Sequence, residues 1–216
     1  MSGRLYPQRR YAVVLLTLVF GISLSLVAFT VVLGSEKHRI EDDFKHGATA
    51  QTSAVEEDIR AQVDVLHNIA SLYQASDFVG RDQFHAFVGH AFDENPGIQA
   101  LEWIPRVPAA ERGVYESASR RQGYPQFQFM EQTSDGSLGP AGLRDEYFPV
   151  YFLDPYEGNE SAMGYDLASN PIRLEALNLA RDTRRPVATG RITLVQEDED
   201  LLGFLVFQPI YDNGAS

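Results

Sequence analysis

The chain has 216 residues, 44% of them apolar and 22% charged, with a formal net charge of −12 and no cysteine. That length holds one ordinary domain and an additional segment. So acidic a surface repels phosphate backbones, which argues against nucleic acid as a partner, and the lack of cysteine excludes disulfides, thiolate metal sites and cysteine nucleophiles.

The first ten residues carry Arg4, Arg9 and Arg10 and no acid. Tyr11 to Leu33 then runs for 23 residues without a charge. At about 1.5 Å per residue such a helix crosses a hydrocarbon core of roughly 30 Å. The run is longer than the apolar part of a signal peptide and ends in charged residues with no small-residue cleavage site. The sequence therefore predicts a cytoplasmic N-terminus over 1–10 and an uncleaved transmembrane helix over 11–33. Everything from residue 34 onward is expected outside, periplasmic in a protein of the bacterial inner membrane.

Ser35 to Ala75 contains no proline and one glycine, Gly47. Apolar residues recur at Ile40, Phe44 and Ala48, then at Val55, Ile59, Val63, Leu66, Ile69 and Tyr73, in steps of three and four that mark one helical face. The spacing predicts a stalk helix over 34–80, paired with a second copy of the chain along its lower half to give a homodimer. Two helices broken near Gly47 are the alternative, since glycine costs roughly 1 kcal/mol in a helix.

Beyond Asp77 the pattern changes. Arg81 to Phe92 reads as a short amphipathic helix with Phe84, Phe87, Val88 and Phe92 inward. Asn95-Pro96-Gly97 is a turn, Ile98 to Val107 a strand, and Pro108 to Gln122 a helix with Gly123 beyond its end. Phe127 and Phe129 alternate with glutamines as in a strand, 133–142 is a Gly/Ser loop, and 146–153 is a β-rich run. Ser169-Asn170-Pro171 opens a helix from Ile172 to Asp182. Two strands, 187–196 and 201–211, flank an acidic turn at 197–200. A long helix followed by an antiparallel sheet with interposed helices is an α+β plan. No glycine-rich phosphate loop follows any predicted strand.

Three stretches resemble the CHASE domain family of sensory modules attached to cyclases and histidine kinases. They are IQALEWIPRVPAAER (98–112), EYFPVYFLDPYEGNESAMGYDLASNPIRLEALNLARDT (146–183) and GFLVFQPIY (203–211). The resemblance implies a stalk helix carrying PAS-like subdomains, with the sensory domain over 81–211. It further implies that 212–216 is a truncated tail, the membrane-proximal PAS-like subdomain being largely missing. In the plant cytokinin receptors of this family, adenine derivatives bind the membrane-distal subdomain. Asp154 is the nearest match to their aspartate, about one residue off register, and the loop 155–163 is longer than theirs. Thr189 falls at their required threonine, and Asn178 at a helix residue facing the pocket.

The resemblance thus implies a ligand pocket lined by Tyr151, Asp154, Asn178 and Thr189. Arg191 stands nearby, where its guanidinium would receive a ligand carboxylate. The bland readings stay beside these. Asp154 and Asp166 also suit turn caps, arginines usually reach solvent, and aromatics at strand spacing usually fill a core. The five histidines include no pair four apart and no HExxH, and 197–200 lacks the glycine of a calcium loop. No metal or other cofactor is expected.

The function these readings predict is an extracytoplasmic, ligand-sensing module of a membrane receptor, without enzymatic activity of its own. The alternatives are an anchored hydrolase using paired carboxylates, for instance Glu102 and Asp154, and a structural spacer.

Overall fold

In the computed structural model the described residues are 6–193 and 202–211, with side chains described at 14–27, 29, 30, 52–192 and 203–211. They belong to two compact units, Met1–Glu57 and Asp58–Ser216. The acidic turn 197–200, the tail 212–216 and the stalk side chains of Ile40, Phe44 and Ala48 lie outside the described residues.

Helix α1 (Tyr6–Ala75) is the described part of the first unit and continues into the second. Pro7 occupies its first turn, where a missing N–H leaves nothing unsatisfied, and no other proline follows before its end. The helix passes through Gly47 without a break, so the two-helix alternative is not what forms.

The transmembrane expectation needs correction. Among the described residues no helix is long and apolar enough to cross a membrane. The expected transmembrane element of the fold, and with it the single-pass inner-membrane placement, is accordingly withdrawn.

The expected single antiparallel sheet also resolves into smaller pieces. There are five two-stranded antiparallel ladders among the described residues. Strand β1 (Leu101–Trp103) pairs with β6 (Phe152–Asp154), and β2 (Val107–Pro108) with β5 (Glu146–Tyr147). Strand β3 (Met130–Gln132) turns back on β4 (Leu138–Pro140). Strand β7 (Val187–Ala188) pairs with β10 (Val206–Phe207), and β8 (Ile192–Thr193) with β9 (Leu202–Gly203). Prolines at 105, 108, 140 and 149 withhold ladder N–H groups, which keeps these strands to two or three residues.

The helices follow their local signals. Helix α2 (Arg81–Val88) buries Phe84 and Val88 one turn apart, then stops at Gly89; α3 (Ala91–Glu94) is a separate turn. The predicted inward face is thus split, and Phe87 is exposed. Helix α4 (Arg112–Arg121) ends before Gly123, whose φ of +100° needs a glycine. Helix α5 (Pro171–Thr183) has Pro171 in its first turn, and the Asn170 side chain accepts from the N–H groups of Ile172 at 3.0 Å and Arg173 at 3.2 Å.

The β1–β6 ladder separates two cores. On one face Leu101 and Phe152 join Ile69 of α1, Phe84 and Val88 of α2, and Tyr147. Tyr73 of α1 stacks on Trp103 with ring centres 3.9 Å apart. On the other face Leu153 joins Val150, Tyr165, Phe207 and Ala176 and Ala180 of α5, with Ala100 and Ile104 packed against them. Arg81 ties α2 to the ladder: Nη2 donates to the Tyr151 carbonyl at 2.8 Å, and the guanidinium lies 4.3 Å from the Tyr124 ring centre.

Residues 164–166 link β3 to the chain around Pro149. The Gly164 N–H donates to the Val150 carbonyl at 2.9 Å, and the Gly164 carbonyl accepts from the Met130 N–H at 2.9 Å. A Cβ at Gly164 would lie 2.4 Å from the Gln128 carbonyl oxygen, so the close approach requires glycine. Asp166, fully buried, accepts from the Phe148 N–H at 2.7 Å and the Ala168 N–H at 3.3 Å and pairs with Arg144, which also reaches Glu131. The capping role read for Asp166 holds, but the residue additionally neutralises a half-buried arginine. Removing this carboxylate orphans the Phe148 and Ala168 N–H groups and leaves the half-buried Arg144 with Glu131 as its remaining acidic partner. Asp166→Ala is expected to lower the unfolding free energy by about 3–5 kcal/mol, read by urea denaturation. A loss under about 1 kcal/mol would mean that the pairs are solvated in solution.

Candidate functional site

Residues 100–104 read Ala-Leu-Glu-Trp-Ile, and a strand sends alternate side chains to opposite faces. Leu101 and Trp103 enter the core that contains α2; Ala100, Glu102 and Ile104 turn the other way. That second face opens on a cavity of about 400 Å³. Its walls include Ile59 and Leu66 of α1, Ala100 and Ile104, and Leu205 and Phe207. Size and lining suit a small organic molecule.

The polar groups of the cavity are few. Gln62 donates to Asp58 at 3.3 Å, and Gln99 reaches Asn159 at 3.5 Å. Glu102 is half-buried in the wall and accepts no hydrogen bond among the described residues. Burial pushes its carboxyl up to about 7, and the charge of Arg173 on α5 opposes the rise without cancelling it. Arg173 is itself buried, its guanidinium 4.7 Å from the Tyr165 ring centre, and desolvation lowers its pKa.

The residues implied by the family resemblance fall in several places. Thr189 is buried, donates its N–H to the Leu205 carbonyl at 2.8 Å and accepts the Leu205 N–H on Oγ1 at 3.0 Å. It therefore fixes a wall residue of the cavity without itself lining it. Asp154 lies opposite Leu101 in the ladder, on the far face from Glu102, and meets Nδ1 of His85 at 2.7 Å. Tyr151, also buried, packs against Tyr115 and Phe127 and lines a second cavity, of about 370 Å³, with Tyr73 and Trp103. Asn178 is half-buried on α5 and Arg191 is exposed; neither lines these two cavities. The five residues are thus not brought together around either of these two cavities.

The register also bears on the paired-carboxylate alternative. Glu102 opposes Leu153 and Asp154 opposes Leu101, so the two carboxylates point to opposite sides of the ladder. A bond held between them has no room in that arrangement. Sequence reasoning considered Glu102 only as one of that pair; an acid alternating with Ala100 and Ile104 was the signal for a carboxylate set in an apolar wall.

A family model described as CHASE domain matches residues 77–216. A relative, the hybrid signal transduction histidine kinase A of Dictyostelium discoideum, is 26% identical over 183 residues. The match covers 85% of this chain and 8% of the relative's own length.

The raised carboxyl pKa makes stability depend on pH with a definite sign. The folded chain holds the Glu102 proton up to about pH 7, whereas an unburied glutamate releases it near its ordinary value of 4.5. Folding is therefore penalised progressively from the lower value to the upper and fully above it. Glu102→Gln, always neutral, is expected to match the native melting temperature at pH 4 and to exceed it increasingly up to pH 7, with no further gain at pH 8. Differential scanning calorimetry across that range decides it; a pH-independent difference would sink the assignment.

Proposed function

The chain belongs to the CHASE domain family, and we propose that it is the small-molecule-sensing part of a signalling receptor, with the cavity beside Glu102 as its ligand site. The family and the histidine-kinase relative make it a sensory domain of signalling receptors. The small molecule and its site are our own extension of that.

The observation that carries the extension is an apolar space of about 400 Å³ containing a carboxyl group with no hydrogen bond from the described residues. A half-buried carboxyl without a protein donor is a free acceptor in an otherwise apolar wall, open to an N–H or O–H of a bound molecule. The cavity lies between a helix, a strand and the 203–207 segment, three elements whose spacing a ligand would set. By analogy with the relative's name, the signal is proposed to feed a histidine kinase.

The test is thermal shift of the full chain against amines, adenines, amino acids and organic acids. A true ligand at 100 times its Kd adds about 2.7 kcal/mol of stability. For a domain of this size that is a rise of roughly 5–10 °C in Tm. Ala100→Phe projects a ring into the cavity and should abolish the shift given by any hit while the variant still melts cooperatively. A hit that stabilises a folded Ala100→Phe chain as much as the native one binds elsewhere.

A further inference from the structure

We propose that the cavity takes a small organic cation, an ammonium group carried on a hydrophobic body, and that the Glu102 carboxylate receives its N–H groups. The proposal rests on the reading of this cavity as the ligand site and adds the chemical class of the ligand.

Glu102 is the one ionisable side chain among the described residues that line the space. Its two oxygens supply about four lone-pair positions, and no described residue donates to any of them. The neutral polar groups nearby are already engaged, Gln62 with Asp58 and Gln99 with Asn159. Above the Glu102 pKa a ligand anion would meet a like charge in a largely apolar wall. A neutral hydroxyl would find an acceptor, but a charge-assisted bond is about twice as strong as a neutral one. The rest of the wall is hydrocarbon, which suits the body of the molecule and not a second charge. A formal net charge of −12 over the chain further raises the local concentration of cations over that of anions.

The charged groups around Glu102 are few on each side. Helix α5 brings Arg173, whose guanidinium lies over Tyr165 and outside the lining. Helix α1 brings Asp58, exposed and bonded to Gln62. Strand β6 presents Leu153 opposite, and the described residues 203–207 contribute no titratable group. Because burial holds the Glu102 carboxyl at about 7, an ammonium ligand must displace a proton at pH 6 but meets a carboxylate at pH 8. The fraction ionised changes about tenfold over that interval, and the affinity with it.

Tryptamine, tryptophol and indole-3-acetate share one ring system and differ in the head group: ammonium, hydroxyl and carboxylate. Titration calorimetry on the full chain is expected to rank tryptamine at least tenfold tighter than both others at pH 8. Its affinity is expected to fall about tenfold at pH 6, with close to one proton released per molecule bound there, measured in two buffers of different ionisation enthalpy. Glu102→Gln is expected to remove the preference for the amine and the pH dependence together. The proton count on the unaltered chain serves if that variant does not fold. Equal or tighter binding of the alcohol or the acid overturns the proposal, as does no measurable binding of tryptamine, or an amine preference kept in Glu102→Gln. Where the alcohol or acid binds and Ala100→Phe abolishes it, the ligand site stands and only the cationic class fails. Where binding survives Ala100→Phe, the site itself is refuted.

Discussion

The antiparallel register of β1 on β6 is the constraint on which the second unit depends. Leu101 opposite Asp154, Glu102 opposite Leu153 and Trp103 opposite Phe152 decide which side chains share a face. A slip of one residue would send every one of them to the other side. In the observed register two aromatic rings and a leucine close the core against α1 and α2, while an alanine, a glutamate and an isoleucine are left facing α5 and the 203–207 segment. The cavity exists because that second face is filled less completely than the first. The same register gives Asp154 to His85 and leaves Glu102 without such a partner, so two acids on adjacent strands come to have different chemistry.

Much of the local structure was legible. Asn170-Pro171 marks the start of α5, and the capping bonds made by the Asn170 side chain are the physical content of that signal. The apolar residues of 98–107 announced a strand, and the three- and four-residue steps through Leu66, Ile69 and Tyr73 announced the face that α1 turns to the core. What the pattern overstated was length and continuity. The apolar run 146–153 became two short strands around Pro149, because a proline cannot complete a ladder, and the helix expected through Phe92 broke at Gly89. Membrane crossing was the larger misreading: it was taken from the uncharged run 11–33, and no described helix is long and apolar enough to cross a membrane.

The site was less legible for a different reason. Asp154, Thr189 and Asn178 were singled out by position along the chain, but a cavity is made by which faces meet, and that depends on long-range register. Thr189 illustrates the gap. Its two hydrogen bonds to Leu205 join segments sixteen residues apart, a pairing with no local signature. The acid that does face the cavity carries only a faint mark in the sequence, a glutamate on the apolar side of a strand.

Trp103 is the single tryptophan of the chain, next to Glu102 and stacked on Tyr73 from the opposite face of β1. Its indole is in contact with the ring of an α1 residue, while its backbone carbonyl receives the Tyr151 N–H at 2.9 Å. Emission from the whole protein under tryptophan-selective excitation thus comes from one chromophore seated in the strand that walls the cavity. Any rearrangement of that strand against α1 alters the stacking and hence the quantum yield, so the molecule carries an intrinsic optical reporter of how β1 packs on α1.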